Sequence, residues 1–272
     1  MISLKRNSKG ELVPATGKRS TDRSSYKPGQ TEDFKLSRGK FSDFLSCPRC
    51  FYMDRVLGLA EPGMPGWSLN SATDELLKKE FDICRQNQIP HRLFREYGLD
   101  HVIPFKHEEM DAWRDSMRRG LMHRFEDTNI ILSGGVDDIW QDTNTKELIV
   151  VDYKSQASNE IVEPESYLSN VYHQGYKIQM DFYNYLLQGM GFKTSETSYF
   201  LVVNADKSLN GFNGNMKFSE TIIPYKNDVS WIPEKVKDMI EIMNQNKIPE
   251  SHQSCENCAY ARERNLFESK TS

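Results

Sequence analysis

No stretch of about 18 consecutive apolar residues occurs in this chain, which argues against a membrane-spanning helix and a membrane partner. The N-terminus, MISLKRNSKG, lacks the apolar centre of a secretory signal, so a cytoplasmic location is expected. There is no internal repeat and no helicase motor motif. There is also no excess of positive charge: the net formal charge is −4, which by itself does not point to nucleic acid. Cysteine is scarce, with five in 272 residues, yet four of the five fall into two C-x-x-C pairs. In a chain without export signals, such pairs favour metal ligation over disulfides.

What is present suffices for one large domain. Apolar residues make up 38%, and 14 Phe, 12 Tyr and 4 Trp can fill a sizeable core. Residues 1–40 hold ten Lys/Arg against four Asp/Glu, so the N-terminal arm is basic and the remainder acidic. Residues 1–36 show no hydrophobic period and read as a disordered basic tail, with the folded domain spanning 37–272.

Within that domain, SDFLSCPRCFYMDRVLGL has apolar residues at helical spacing, with Ser42 as its cap and Gly58 as its stop. EPGMPG follows as a turn-rich linker. The spacing predicts helices over 68–88, with Leu69, Ala72, Leu76, Leu77 and Phe81 inward, and over 108–126. Further helices are expected over 172–188 and from Ser230 to about 246. Ile130–Gln141 and Glu147–Lys154 read as a β-hairpin, and 198–204 and 217–225 as two more strands, antiparallel to each other. Helices, hairpin, helix, strands, helix is the order of an α/β sandwich with a mixed sheet.

The hairpin GGVDDIWQDTNTKELIVVDYK carries the chemistry. With Thr143-Asn144 at the centre of the turn, Asp137 faces Val150. Alternation along the strand puts Val150, Asp152 and Lys154 on one face. Asp137 and Asp152 are then diagonal neighbours that can share one hard divalent cation, Mg²⁺ or Mn²⁺. The Tyr153 carbonyl lies between the two inward side chains, and Lys154 can orient water or stabilise charge. Asp138 points to the opposite face. Hydrolysis of a phosphodiester needs this combination of cation, water and counter-charge.

GGVDDIW followed by VVDYKS resembles the PD-(D/E)XK nuclease superfamily. The later helix GYKIQMDFYNYLL, with Gln179-x-x-x-Tyr183, resembles its RecB-type branch, which includes AddB nuclease domains and CRISPR-adaptation exonucleases. The resemblance implies a restriction-endonuclease-like core, a mixed central sheet flanked by helices. It also implies a metal-dependent nuclease, with single-stranded or end-bearing DNA as the substrate and a helicase, repair or CRISPR-type partner. Alternatives on the same core are a structure-specific or restriction-type endonuclease and a nucleic-acid-binding adaptor with a weakened metal site. The catalytic residues would be Asp137, Asp152 and Lys154, with Gln179 and Tyr183 flanking the DNA.

Members of that branch carry a metal-binding His or Glu on an early helix. NSATDELLKKEF offers Asp74 or its neighbour Glu75 there, and no His. SCPRCFY is similar to the entry helix of the branch, whose iron–sulfur members use one N-terminal and three C-terminal cysteines. This chain has two and two: Cys47 and Cys50, then Cys255 and Cys258. Four thiolates suit a [4Fe–4S] cluster or one tetrahedral Zn²⁺, and either would clamp the two ends. Cys84 is expected in the core and His252 in a loop. Tyr172 and Tyr176 could stack on bases but are expected in the core.

Overall fold

The computed structural model describes residues 3–19, 24–63 and 68–271. Met64–Gly66 of the expected linker lie outside them. The chain runs through β1 (Phe34–Ser37), α1 (Arg38–Ser46), α2 (Pro48–Arg55), α3 (Ser68–Asn87), β2 (Val102–Pro104) and α4 (Met110–Arg114). Then come β3 (Leu121–Arg124), β4 (Ile130–Gly134), β5 (Asp138–Asp142), β6 (Leu148–Gln156), α5 (Pro164–Ser169) and α6 (Gln174–Gly189). It ends with β7 (Thr197–Ala205), β8 (Phe218–Lys226), α7 (Ile232–Asn244) and α8 (Glu256–Thr271). Two compact units result. One comprises Met1–Phe34, Gly39–Gly66 and Pro233–Ser272; the other comprises Lys35–Arg38 and Trp67–Ile232.

The second unit is built on a five-stranded sheet of order β2-β5-β6-β7-β8. Strands β6 and β7 are parallel and the other neighbours antiparallel, so the sheet is mixed as expected. On one face α3 sets Phe81 against Trp140 and Tyr153, at ring separations of 5.4 and 5.6 Å. On the other face α6 brings Gln179 to Asp152. With both faces covered, Leu148–Tyr153 is buried at every position and shows no alternation. A smaller sheet, β1-β4-β3, accompanies the larger one.

Several expected boundaries shift, each for a local reason. Ile130–Gln141 is two strands in two sheets, divided at Gly134-Gly135. A Cβ on Gly134 would meet the Tyr183 ring at 2.5 Å, and one on Gly135 would meet Ser116 at 2.5 Å. Only glycine lets the chain pass both. The helix expected over 108–126 is one short turn, α4, followed by β3, because Gly120 has φ +78 and the segment after it pairs with β4. In α3 the inward residues are Leu77 and Phe81; Leu69 and Leu76 are exposed.

In the first unit the helix expected from Ser42 to Gly58 is broken at Cys47-Pro48. Cys47 is extended (φ −157, ψ 103) and Pro48 opens α2, since proline has no N–H for a continuing helix. Ser42 is therefore inside α1. Within the stretch expected as a disordered tail to residue 36, some residues are packed. Tyr26, Phe34 and Leu36 are buried, Tyr26 Oη donates to Asn244 Oδ1 at 3.1 Å, and Arg19 pairs with Asp54. Aromatic anchors in a polar stretch carry no period, so composition alone hides them. Starting inside the second C-x-x-C, α8 is a helix that the sequence pattern does not predict.

Candidate active site and thiolate cluster

The hairpin register differs from expectation by two residues. Asp138 pairs with Val151, Ile139 with Val150 and Trp140 with Ile149. The turn is longer than two residues: Lys146 N donates to Asp142 O at 2.9 Å, Asp142 N donates to Glu147 O at 3.1 Å, and Lys146 has φ 64. A shift of two preserves side-chain parity. Asp137 therefore keeps its face and comes level with Asp152. Its Oδ2 accepts the Tyr153 N–H at 2.9 Å.

Asp152 is fully buried. Its Oδ1 accepts from Gln179 Nε2 at 2.7 Å, and its Oδ2 pairs with Lys154 Nζ. Gln179 Nε2 also reaches Tyr183 Oη at 3.2 Å, so the two α6 residues spaced four apart act as one arm above the sheet. Arg38 lies at the Tyr183 hydroxyl, whose pKa burial pushes up to about 12. Lys154 Nζ sits 4.6 Å over the Tyr176 ring. Burial alone would lower the Lys154 ammonium, but Asp152 and Asp137 outweigh it and hold it above its ordinary value. Burial, then the negative charge of Asp152, pushes the Asp137 carboxyl up to about 7.

Of the two early-helix acids, Asp74 is the one turned toward this group. Lys78 Nζ lies 2.7 Å from Asp74 Oδ2 and 3.9 Å from Asp137 Oδ1. Glu75 is exposed and pairs with Lys79. Lys78 itself was not anticipated, although its i,i+4 spacing from Asp74 is legible. The three carboxylates do not close into a tight triad. Among the described residues, the group of three or more metal-capable atoms lying within 4.8 Å of one another is the cysteine quartet.

The reverse face of the hairpin is a buried ion-pair network. Asp138, with no exposure, accepts from Arg85, from Arg114 Nη2 at 3.1 Å, from Tyr153 Oη at 2.7 Å and from Ile139 N at 2.8 Å. Arg114 Nε donates to the Asp137 carbonyl at 3.1 Å, and its Nη1 holds both Asp82 oxygens at 2.9 and 3.0 Å. Arg114 thus ties α3 and β5 to the main chain of Asp137. Nothing local in the sequence marks Arg85 or Arg114, because both act across long loops. The Tyr153 side chain belongs to this face, which leaves only its main chain on the Asp137 side.

At the end of β6 a cavity of about 230 Å³ is lined by residues between Gln156 and His173. His173 stacks on Tyr176 at 5.1 Å, and next to it Tyr172 is 88% exposed, not in the core as expected.

In the first unit the four cysteines gather. Cys47 Sγ is 3.9 Å from Cys258 Sγ, and Cys50 Sγ is 3.5 and 3.4 Å from those of Cys255 and Cys258. Burial would raise the Cys47 thiol, but N–H groups of Cys50 and His252 lower it to about 7. His252 stays in the loop, its Nδ1 accepting from Ser254 N at 3.1 Å. Cys84 is outside the group.

The donor sets separate by chemistry. Asp137, Asp152 and Asp74 are hard oxygen donors fit for Mg²⁺ or Mn²⁺, and the crowding of Asp137 by Asp152 is relieved by a divalent charge. The sulfurs suit a soft metal.

The sequence profile of the PD-(D/E)XK nuclease superfamily matches residues 35–262. No curated protein matches the chain. Among solved structures, one similar chain is a provisionally assigned exonuclease from Eubacterium rectale, at 14% identity, 88% coverage of each chain and a TM-score of 0.43. At that overlap no residue is carried across.

Proposed function

Because the chain belongs to the PD-(D/E)XK nuclease superfamily, we propose that it hydrolyses phosphodiester bonds of DNA at Asp137, Asp152 and Lys154. The observation that carries this is the convergence of two carboxylates from adjacent strands with the Lys154 ammonium on one sheet face. Asp137 and Asp152 would hold Mg²⁺ or Mn²⁺, with Asp74 and the Tyr153 carbonyl completing the set. Such an ion offsets phosphate charge and acidifies water.

The protein's own groups do the rest. Lys154, kept protonated by Asp152, offers positive charge to a phosphoryl oxygen and a hydrogen bond to the attacking water. Gln179 fixes the Asp152 carboxylate, and Gln179 and Tyr183 together form the edge along which a strand would run. Lys78 holds Asp74 beside Asp137.

Single-stranded or end-bearing DNA, cut as an exonuclease, is the preferred substrate. The cavity beyond β6 and the exposed Tyr172 support it, since an unpaired base can stack on an exposed aromatic ring. The RecB-type branch, a cytoplasmic setting and a helicase, repair or CRISPR-type partner rest on the sequence resemblance. No helix among the described residues is long and apolar enough to cross a membrane.

The test is cleavage of linear single-stranded, linear double-stranded and circular DNA with Mg²⁺ or Mn²⁺. Cutting of linear but not circular single strands is the expected result. Cutting of circles moves the reading to an endonuclease. Absence of any cleavage by metal-loaded protein leaves a DNA-binding adaptor and defeats the enzyme reading.

A further inference from the structure

We infer that the four-cysteine site holds one tetrahedral Zn²⁺ ion and not the [4Fe–4S] cluster that the family resemblance implies. The argument starts from the sulfur spacing. A zinc ion with Zn–S bonds of about 2.3 Å sets its four sulfurs about 3.8 Å apart. Three Sγ separations here are 3.4, 3.5 and 3.9 Å, and all four sulfurs lie within 4.8 Å of one another. In a cubane each thiolate binds a different iron, and the four bonds splay outward from a core already several ångströms across. The sulfur tetrahedron in this chain is the size of a single ion's shell. A cubane would require these sulfurs to spread well beyond the separations they have here.

The local fold supports the same assignment. Each pair is an equivalent half-site at the start of a helix. Cys47 precedes Pro48 at the head of α2, with Phe51 N donating to its carbonyl at 3.1 Å; Cys255 precedes Glu256 at the head of α8, with Ala259 N donating to its carbonyl at 3.0 Å. The second cysteine of each pair, Cys50 or Cys258, sits in the first turn of that helix, so the helix start brings both thiols of a pair to one end. Two matched half-sites make a closed two-plus-two tetrahedron, the arrangement of structural zinc. Cys47 and Cys258 are largely buried, and Cys47, Cys50 and Cys255 line an open cavity of about 150 Å³ through which an ion can enter. The ion would close a loop of roughly 200 residues, and the binding free energy of a structural zinc exceeds the entropic cost of that closure.

This inference does not depend on the nuclease reading, and its test reads no cleavage. The full chain is purified anaerobically without added metal, and zinc, iron and acid-labile sulfide are measured per chain. One equivalent of zinc, negligible iron and no labile sulfide is the expected result. Replacing the ion with Co²⁺ should then give the intense visible bands of a tetrahedral tetrathiolate, and Cys255→Ser should remove both the bands and the zinc. Iron with labile sulfide, or no metal on the four thiols, overturns the assignment. Cobalt bands that persist in Cys255→Ser also overturn it.

Discussion

The carboxylate group in one unit and the thiolate group in the other solve the same problem in opposite ways. Each collects like-charged groups that repel once ionised. The carboxylates are held by ammonium groups of the chain itself: Lys154 on Asp152, and Lys78 between Asp74 and Asp137. The close neighbours of the thiolate sulfurs are other sulfurs. A site that already carries its own cations can exchange a metal and stay folded, whereas one whose thiolates are met by other sulfurs and a few main-chain N–H groups depends more on its ion. The first arrangement suits turnover and the second suits structure.

The largest expected effect breaks the carboxylate side alone. Asp152→Ala or Lys154→Ala should lower cleavage about a thousandfold or more, since each removes charge stabilisation at the phosphate. Metal analysis of the same preparations should show the thiolate metal unchanged. Loss of that metal in either variant would mean the two groups are one cooperative structure, and the contrast would collapse.

The reciprocal perturbation comes next. Stripping the thiolate metal, or replacing Cys50 by Ser, should lower the thermal midpoint by on the order of 10 °C, because binding energy there is folding energy. The Mn²⁺ concentration for half-maximal cleavage, measured below that midpoint, should stay within a factor of about two if the carboxylates hold their own geometry.

How much of this was legible depends on how far apart the partners lie. Asp137, Asp152 and Lys154 were readable because strand parity survives an error of two in register; the mistaken two-residue turn changed the partner of Asp137 but not its face. Gln179 and Tyr183 were readable because i,i+4 spacing is local. Arg114 was not, since it meets Asp82 and Asp138 across loops whose closure no local pattern records. Parity also separated the tandem Asp137-Asp138 by face, but not the partners that Asp138 meets. One acid faces the candidate metal site, and the other is buried under two arginines and a tyrosine. In the first unit the C-x-x-C pairs announced a shared group of four thiols from spacing alone, while the break at Cys47-Pro48 was lost beneath a continuous apolar period.

A smaller effect sharpens the carboxylate side. Tyr153→Phe keeps the ring against Phe81 but removes the 2.7 Å hydrogen bond to Asp138. Arg114→Lys removes the forked contacts to Asp82, Asp138 and the Asp137 carbonyl. Groups that orient metal ligands typically change metal affinity by about 10–100-fold. Both variants should therefore raise the Mn²⁺ concentration for half-maximal cleavage about tenfold, with Arg114→Lys the larger. A fall in thermal stability with an unchanged Mn²⁺ requirement would make the network ordinary packing.

The smallest effect concerns pH and needs no substrate. In the absence of a divalent ion, burial and Asp152 raise the Asp137 carboxyl from near 4 to about 7 in the folded chain. The folded state then binds more protons than the unfolded state between those values. Asp137's contribution to stability is fully present below about pH 4 and is lost as pH rises through about 7. Metal-free protein should show this component falling across that window, isolated by subtracting the profile of Asp137→Asn, which cannot titrate there. Saturating Mg²⁺ or Mn²⁺ should reverse its sign, because the ion binds the ionised carboxylates and gains occupancy as pH rises. If the wild-type and Asp137→Asn profiles run parallel with and without the ion, Asp137 is not crowded by Asp152. The exchangeable character of the carboxylate group would then have to rest on Lys78 and Lys154 alone.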